Sequence, residues 1–180
     1  YCHPDFRCEV VRVASDESVL ALRRYLKEPH QNRMVEQDGP IGDVKILIVE
    51  DNPDVRDLLR QVFSPLYEVF LAESGDQGLE MAIATEPDIV LSDIMMPGGI
   101  SGLEMCAKLK NNVQTSHIPV VLITARTSEN HIIEGFNSGA DDYITKPFNV
   151  RLLVARCNNL INSRRRLQET FKTHPDASIA

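Results

Sequence analysis

The chain has 180 residues, 43% of them hydrophobic, which is enough apolar material for the core of one domain with extensions. Its formal net charge of −7 argues against a general binder of nucleic acid or membrane surfaces, since such partners attract basic faces. No apolar run approaches the roughly 20 residues of a membrane span and no signal-peptide pattern is present, so a cytoplasmic location is expected. Cys2, Cys8, Cys106 and Cys157 form no Cys-x-x-Cys pair, which fits free thiols in a reducing compartment. Cys2, His3, Cys8 and His30 match no structural zinc spacing.

Residues 1–42 differ in character from the rest. Glu9 to Val13 has the pattern of a short strand. Ser15 to Glu28 reads as a helix capped by Ser15, with Val19, Leu20, Leu22 and Leu26 near one face and Pro29 as its stop. Gln31 to Asp43 is polar and broken by Gly39, Pro40 and Gly42, the composition of a linker. Because the sequence starts on Tyr1, residues 1–42 are expected to be an extension or the tail of an upstream domain.

From Lys45 onward strand and helix patterns alternate in five units, the signature of an α/β fold. The expected architecture is a doubly wound, five-stranded parallel sheet flanked by five helices. Lys45 to Val49 is the first strand. A helix begins at Pro53 behind Asn52 and sets Val55, Leu58, Leu59, Val62 and Phe63 at core spacing. Glu68 to Leu71 is the second strand, followed by a helix from Ser74 to Thr85 with Leu79, Ala82 and Ile83 inward. The third strand, Ile89 to Leu91, runs through Ser92 into Asp93. A glycine-rich turn, Met96 to Gly102, leads into a helix from Leu103 to Lys110; its glycines are not spaced like a Walker loop or a dinucleotide fingerprint. Ile118 to Ile123 is the fourth strand, closing on Thr124, and a polar helix follows over Ser128 to Ser138. Asp142 to Thr145 is the fifth strand, closing on Lys146 and Pro147. The last helix runs from Asn149 to Leu167 with Leu152, Leu153, Cys157, Leu160 and Ile161 inward. Arg164, Arg165 and Arg166 are expected to solvate its end and favour its dipole, and His174 to Ala180 is expected to be an unstructured tail.

Ligands of a doubly wound sheet collect outside the carboxyl ends of its strands. Glu50, Asp51, Asp93, Thr124 and Lys146 all fall at such ends. Asp141 and Asp142 open the fifth strand instead and are expected in a solvated loop at the other edge. Three crowded carboxylates repel unless a cation sits among them, and an all-oxygen set suits a hard ion such as Mg²⁺. Asp93 can then serve as a nucleophile toward phosphorus, with Lys146 neutralising phosphoryl charge and Thr124 hydrogen-bonding an oxygen.

The order of acid pair, Asp-x-x-x-Pro, strand-terminal Thr and Lys-Pro resembles the receiver domain of two-component response regulators, over residues 43–166. The resemblance implies a flavodoxin-like receiver fold with Glu50, Asp51, Asp93 and the Met95 carbonyl around Mg²⁺, and Asp93 as phosphoacceptor. It implies Thr124 and Lys146 as phosphoryl contacts, Tyr143 as the aromatic that turns inward with Thr124, and a cis peptide before Pro147. The interval from Pro97 to Gly102 is one residue longer than in the family pattern. A histidine kinase is the implied phosphodonor, and the helix of 128–138, the fifth strand and the last helix form the face expected to repack, in a phosphorylation-dependent homodimer among other outcomes. The context resembles either a receiver cut from a hybrid sensor kinase or a free-standing regulator, with residues 167–180 leading toward an output domain whose expected role is control of transcription.

Two other readings fit the residues less well. A phosphohydrolase using an aspartyl-phosphate needs a second acid two residues after the nucleophile, where this chain has Met95, so enzymatic turnover is not expected. A receiver-like module that binds without being phosphorylated is opposed by the presence of all five polar groups. Direct contact with nucleic acid by this chain is not expected. Met95 and Arg126 flank the expected path of attacking water and neither is a good base, so the acyl-phosphate is expected to last minutes or longer.

Overall fold

The computed structural model describes residues 17–29, 43–125 and 129–173. The elements are α1 (17–27), β1 (Lys45–Val49), α2 (Pro53–Phe63), β2 (Glu68–Ala72), α3 (Gly75–Thr85), β3 (Ile89–Asp93), α4 (Gly102–Asn111), β4 (Val120–Thr124), α5 (Glu129–Asn137), β5 (Asp142–Thr145) and α6 (Val150–Thr173). The five strands form one parallel sheet in the order β2-β1-β3-β4-β5. This is the expected doubly wound α/β sheet, with six helices among the described residues.

Alternation along each strand divides the core into two layers. Ile46, Ile48, Leu91, Ile123 and Ile144 face α2, α6 and α1, while Leu47, Val49, Val90, Leu122 and Tyr143 face α3 and α4. The three central strands are buried on both faces, which is why they read as unbroken apolar runs.

The helix starts follow capping chemistry. Asn52 accepts from the N–H groups of Asp54 and Val55, Ser74 from that of Gln77, and Ser101 from that of Glu104. Asn149 accepts from the N–H of Leu152 at the head of α6.

Several side chains depart from the expected pattern. Ile83 is 41% exposed, because α3 packs through Gly75, Gly78 and Ala82. A Cβ on Gly78 would stand 2.8 Å from both Val49 and Met105, so a glycine face lets α3 sit close to the sheet. Leu152 is 49% exposed; Val150, Leu153, Val154, Cys157 and Ile161 form the inner stripe of α6 instead. That helix continues past Leu167 to Thr173. In α1 the buried side chains are Ser18, Leu22 and Tyr25, whereas Leu20 points outward.

The Glu9 to Val13 strand, the Ser15 cap, most of the linker, the cysteines and histidines of the amino-terminal segment, Arg126 and the tail from His174 lie outside the described residues. No helix among the described residues is long and apolar enough to cross a membrane.

Candidate functional site

The chain leaves β1 toward β2 on one side and later adds β3 on the other, so the crevice of the sheet opens between the carboxyl ends of β1 and β3. Glu50 and Asp51 follow β1 directly and Asp93 is the last residue of β3. Their carboxylates meet there, with one oxygen of each lying within 4.8 Å of the others. Glu50 and Asp93 are buried, while Asp51 is partly open to solvent.

Lys146 enters from the end of β5. Its Nζ lies 3.2 Å from Asp93 Oδ2 and 3.5 Å from Glu50 Oε2. Its backbone N–H donates to the Thr124 carbonyl at 2.6 Å, which ties the β5 corner to the end of β4. The Lys146–Pro147 peptide is cis, as the resemblance implied.

Burial and crowding set the protonation of the group. Desolvation first, then the neighbouring Asp93 charge, pushes the Glu50 carboxyl up to about 8. Burial likewise raises Asp93, opposed by Lys146 and by the N–H of Met95. For Lys146 burial alone would lower the ammonium, but the Glu50 and Asp93 carboxylates override it and hold it above its ordinary range. Among the described residues Lys146 pairs with Glu50 and Asp93, two of the three acids, so the set is short of positive charge. Its donors, all carboxylate oxygens converging from two adjacent strand ends, fit a hard divalent cation.

The remaining predicted residues reach the same edge to different degrees. Thr124 is fully buried at the end of β4, paired in register with Thr145, the residue before Lys146. Tyr143 is buried and turned inward, its ring against Gly135 of α5, where a Cβ would stand 2.6 Å away. Met95 lies two residues beyond Asp93 with its side chain 52% exposed.

Asp141 and Asp142 are at the opposite edge, as expected, but they are paired. Asp141 Oδ2 accepts from Lys110 Nζ and the Val120 N–H, each at 2.8 Å, and Asp142 Oδ1 accepts from Arg156 at 3.1 Å.

Two residues of the site escaped the sequence reading. Arg56 donates to the carbonyl oxygens of Glu50 at 2.8 Å and Asp51 at 3.4 Å, and pairs with Glu73 at 3.1 Å, so it fixes the acidic turn from behind. Its place in the first turns of the helix after the acid pair was the available signal. Gly102 closes the loop after β3: a Cβ there would stand 2.1 Å from the Asp93 carbonyl oxygen, and its N–H donates to Ile94 at 2.9 Å. The preceding turn contains Gly98 at φ +89° and is held to α3 by the Ile100 N–H on Asp76 at 3.1 Å.

Comparison with known proteins agrees with this geometry. The profile of the response regulator receiver domain matches residues 46–158. Histidine kinase P4 of Formosa agariphila is 42% identical over 126 residues, which cover 70% of this chain and 9% of the kinase. Response regulator PleD of Caulobacter vibrioides is 44% identical over 117 residues, 64% of this chain and 26% of that protein. The chain thus spans a small part of each of these two relatives. Among solved structures, a CheY-like response regulator receiver domain protein from Methanospirillum hungatei superposes with a TM-score of 0.65 at 26% identity, covering 69% of this chain and 98% of that one. The receiver domain of a signal transduction histidine kinase from Syntrophus aciditrophicus gives a TM-score of 0.62 at 30% identity, over 67% and 91%. With the fold, the strand-end acids and the profile in accord, this chain belongs to the response regulator receiver domain family of two-component systems.

Proposed function

We propose that the chain is the phosphoacceptor of a two-component phosphorelay, taking a phosphoryl group from the phosphohistidine of a histidine kinase onto Asp93. The observation that carries this reading is the placement of Lys146 Nζ 3.2 Å from Asp93 Oδ2, beside Glu50 and Asp51, at the switch point of the sheet. An Asp93 oxygen attacks phosphorus in line with the breaking P–N bond, whose electron pair returns to the imidazole nitrogen. Lys146 stays within reach of the transferred phosphoryl oxygens, and Thr124 donates to one of them.

Glu50, Asp51, Asp93 and the Met95 carbonyl would hold Mg²⁺. When bound, the ion supplies the positive charge that lets crowded carboxylates and a phosphoryl group share one crevice. Arg56 keeps the acidic turn in place meanwhile.

The new dianionic group, carrying about −1.5 to −2 charge, then biases Thr124 and Tyr143. The face of α5, β5 and α6 exposes Ile133, Phe136 and Leu152, apolar side chains suited to a second copy once repacked. In this reading residues 43–166 are the receiver, residues 1–42 an extension from an upstream segment, and residues 167–180 a lead toward an output, such as control of transcription.

Incubation of the chain with Mg²⁺ and acetyl phosphate, read by intact mass, tests the proposal. One phosphoryl adduct that needs Mg²⁺ and is lost in Asp93→Asn is the expected result. Absence of an adduct with every donor would leave a binding module, and steady release of phosphate would point to a hydrolase.

A further inference from the structure

The site uses neither α1 nor the buried amide of Asn158, and three observations join them. First, α1 is seated in the core. Leu22 and Tyr25 are buried in the cluster that holds Leu58 of α2, Phe148, and Val154 of α6. Second, the end of α1 is tied to the head of α6 by the Glu28 carboxylate on the Arg151 guanidinium. Arg151 lies five residues beyond Lys146, and Phe148 lies between them. Third, Arg151, Ala155 and Asn158 recur at i, i+4 and i+7, one stripe of α6. Asn158 therefore shares the stripe of α6 that carries Arg151, and both its amide nitrogen and its amide oxygen are buried without a hydrogen-bond partner among the described residues.

These features act in opposite directions. Burial of Leu22 and Tyr25 favours docking. An amide stripped of water and given no partner disfavours it, and Asn158 recovers its water when α1 leaves.

We propose that α1 is a displaceable lid on a helix-binding face formed by α2 and α6, and that its docking clamps the corner from Lys146 to Arg151. The occupant of the face is α1 of the same chain. The lid stands on the packing of α1, the Glu28–Arg151 pair and the Asn158 amide, while its effect on chemistry rests on the phosphoacceptor reading. Because coupling is reciprocal, any change at Lys146 on phosphorylation is felt by α1 in equal measure.

Amide hydrogen exchange on the full chain tests the lid, with Asn158→Leu and Leu22→Asp as variants. Amides of α1 are expected to exchange at least tenfold faster than those of β3 and β4 in the wild type, the mark of local opening. Asn158→Leu should slow α1 exchange by about tenfold, because it removes the orphaned amide. Leu22→Asp should strip protection from α1 and leave β3 protected. Protection of α1 equal to that of β3 in the wild type, faster α1 exchange in Asn158→Leu, or loss of β3 protection in Leu22→Asp would each overturn the lid. A slower acetyl phosphate reaction in Leu22→Asp with β3 still protected supports the clamp, and an unchanged rate overturns it. If the wild type takes no phosphoryl group, the exchange results still decide the lid, so the two proposals fail separately.

Discussion

Lys146 Nζ lies 3.2 Å from Asp93 Oδ2, although the two residues are 53 positions apart and rise from strands separated by β4. Both side chains are at least nine-tenths buried. Removal of one member of such a pair leaves buried charge uncompensated, at roughly 3 kcal/mol. Lys146→Ala should therefore lose about that much stability at alkaline pH. The loss should shrink in acid, where Glu50 and Asp93 take up protons. Denaturant unfolding at both ends of the pH range checks this, and acetyl phosphate labelling of the same variant should fall at least tenfold.

The acidic set makes stability depend on pH and on metal. Glu50 is held at about 8 in the fold against an ordinary 4.5. A carboxyl raised on folding contributes stability that is fully present below its unfolded value and lost as pH rises through the folded value. Metal-free protein should accordingly lose melting temperature between about pH 5 and pH 9. Added Mg²⁺ should raise the melting temperature more at the alkaline end, and Glu50→Gln should flatten both trends. An equal Mg²⁺ effect at both ends would count against this assignment.

Gly102 has no room for a methyl group, since a Cβ would meet the Asp93 carbonyl oxygen at 2.1 Å. Gly102→Ala is expected to cost about 1 to 3 kcal/mol through overpacking and to shift the end of β3. Slower labelling of Asp93 in a variant that still melts cooperatively is the expected signature.

Asp141 offers a control at the far edge of the sheet. Asp141→Ala deprives the buried Val120 N–H and the Lys110 ammonium of a shared partner, at about 1 to 2 kcal/mol. Melting temperature should fall while the labelling rate stays unchanged, because no group of the acidic crevice is touched.

Lifetime of the acyl-phosphate bears on the residues after Asp93. The thioether of Met95 is half exposed and offers no base to an attacking water. A lifetime of minutes or longer is expected after donor removal, and Met95→Glu should shorten it. Decay within seconds in the wild type would contradict this.

The sheet was legible in the sequence because parallel strands buried on both faces leave unbroken apolar runs, as in Ile46 to Val49 and Ile89 to Leu91. Convergence of Glu50, Asp51, Asp93 and Lys146 followed from the topology, which fixes strand ends without knowledge of side-chain rotamers. Helix faces were harder. Ile83 and Leu152 were expected inside from apolar residues at helical spacing, but α3 packs through glycines and α6 through a neighbouring stripe. Pairing of Asp141 with Lys110 depends on where α4 passes β5, and seating of Tyr25 depends on where α1 docks. Neither contact leaves a periodic mark in one sequence.

The central claim is that Asp93 is the group that accepts phosphorus. Chain treated with Mg²⁺ and acetyl phosphate can be reduced with borohydride, which converts an aspartyl phosphate to homoserine, and then mapped by peptide mass spectrometry. Homoserine at position 93 alone, absent without Mg²⁺ and in Asp93→Asn, is the predicted result. Homoserine at another acid, or its appearance regardless of Mg²⁺, would contradict the account.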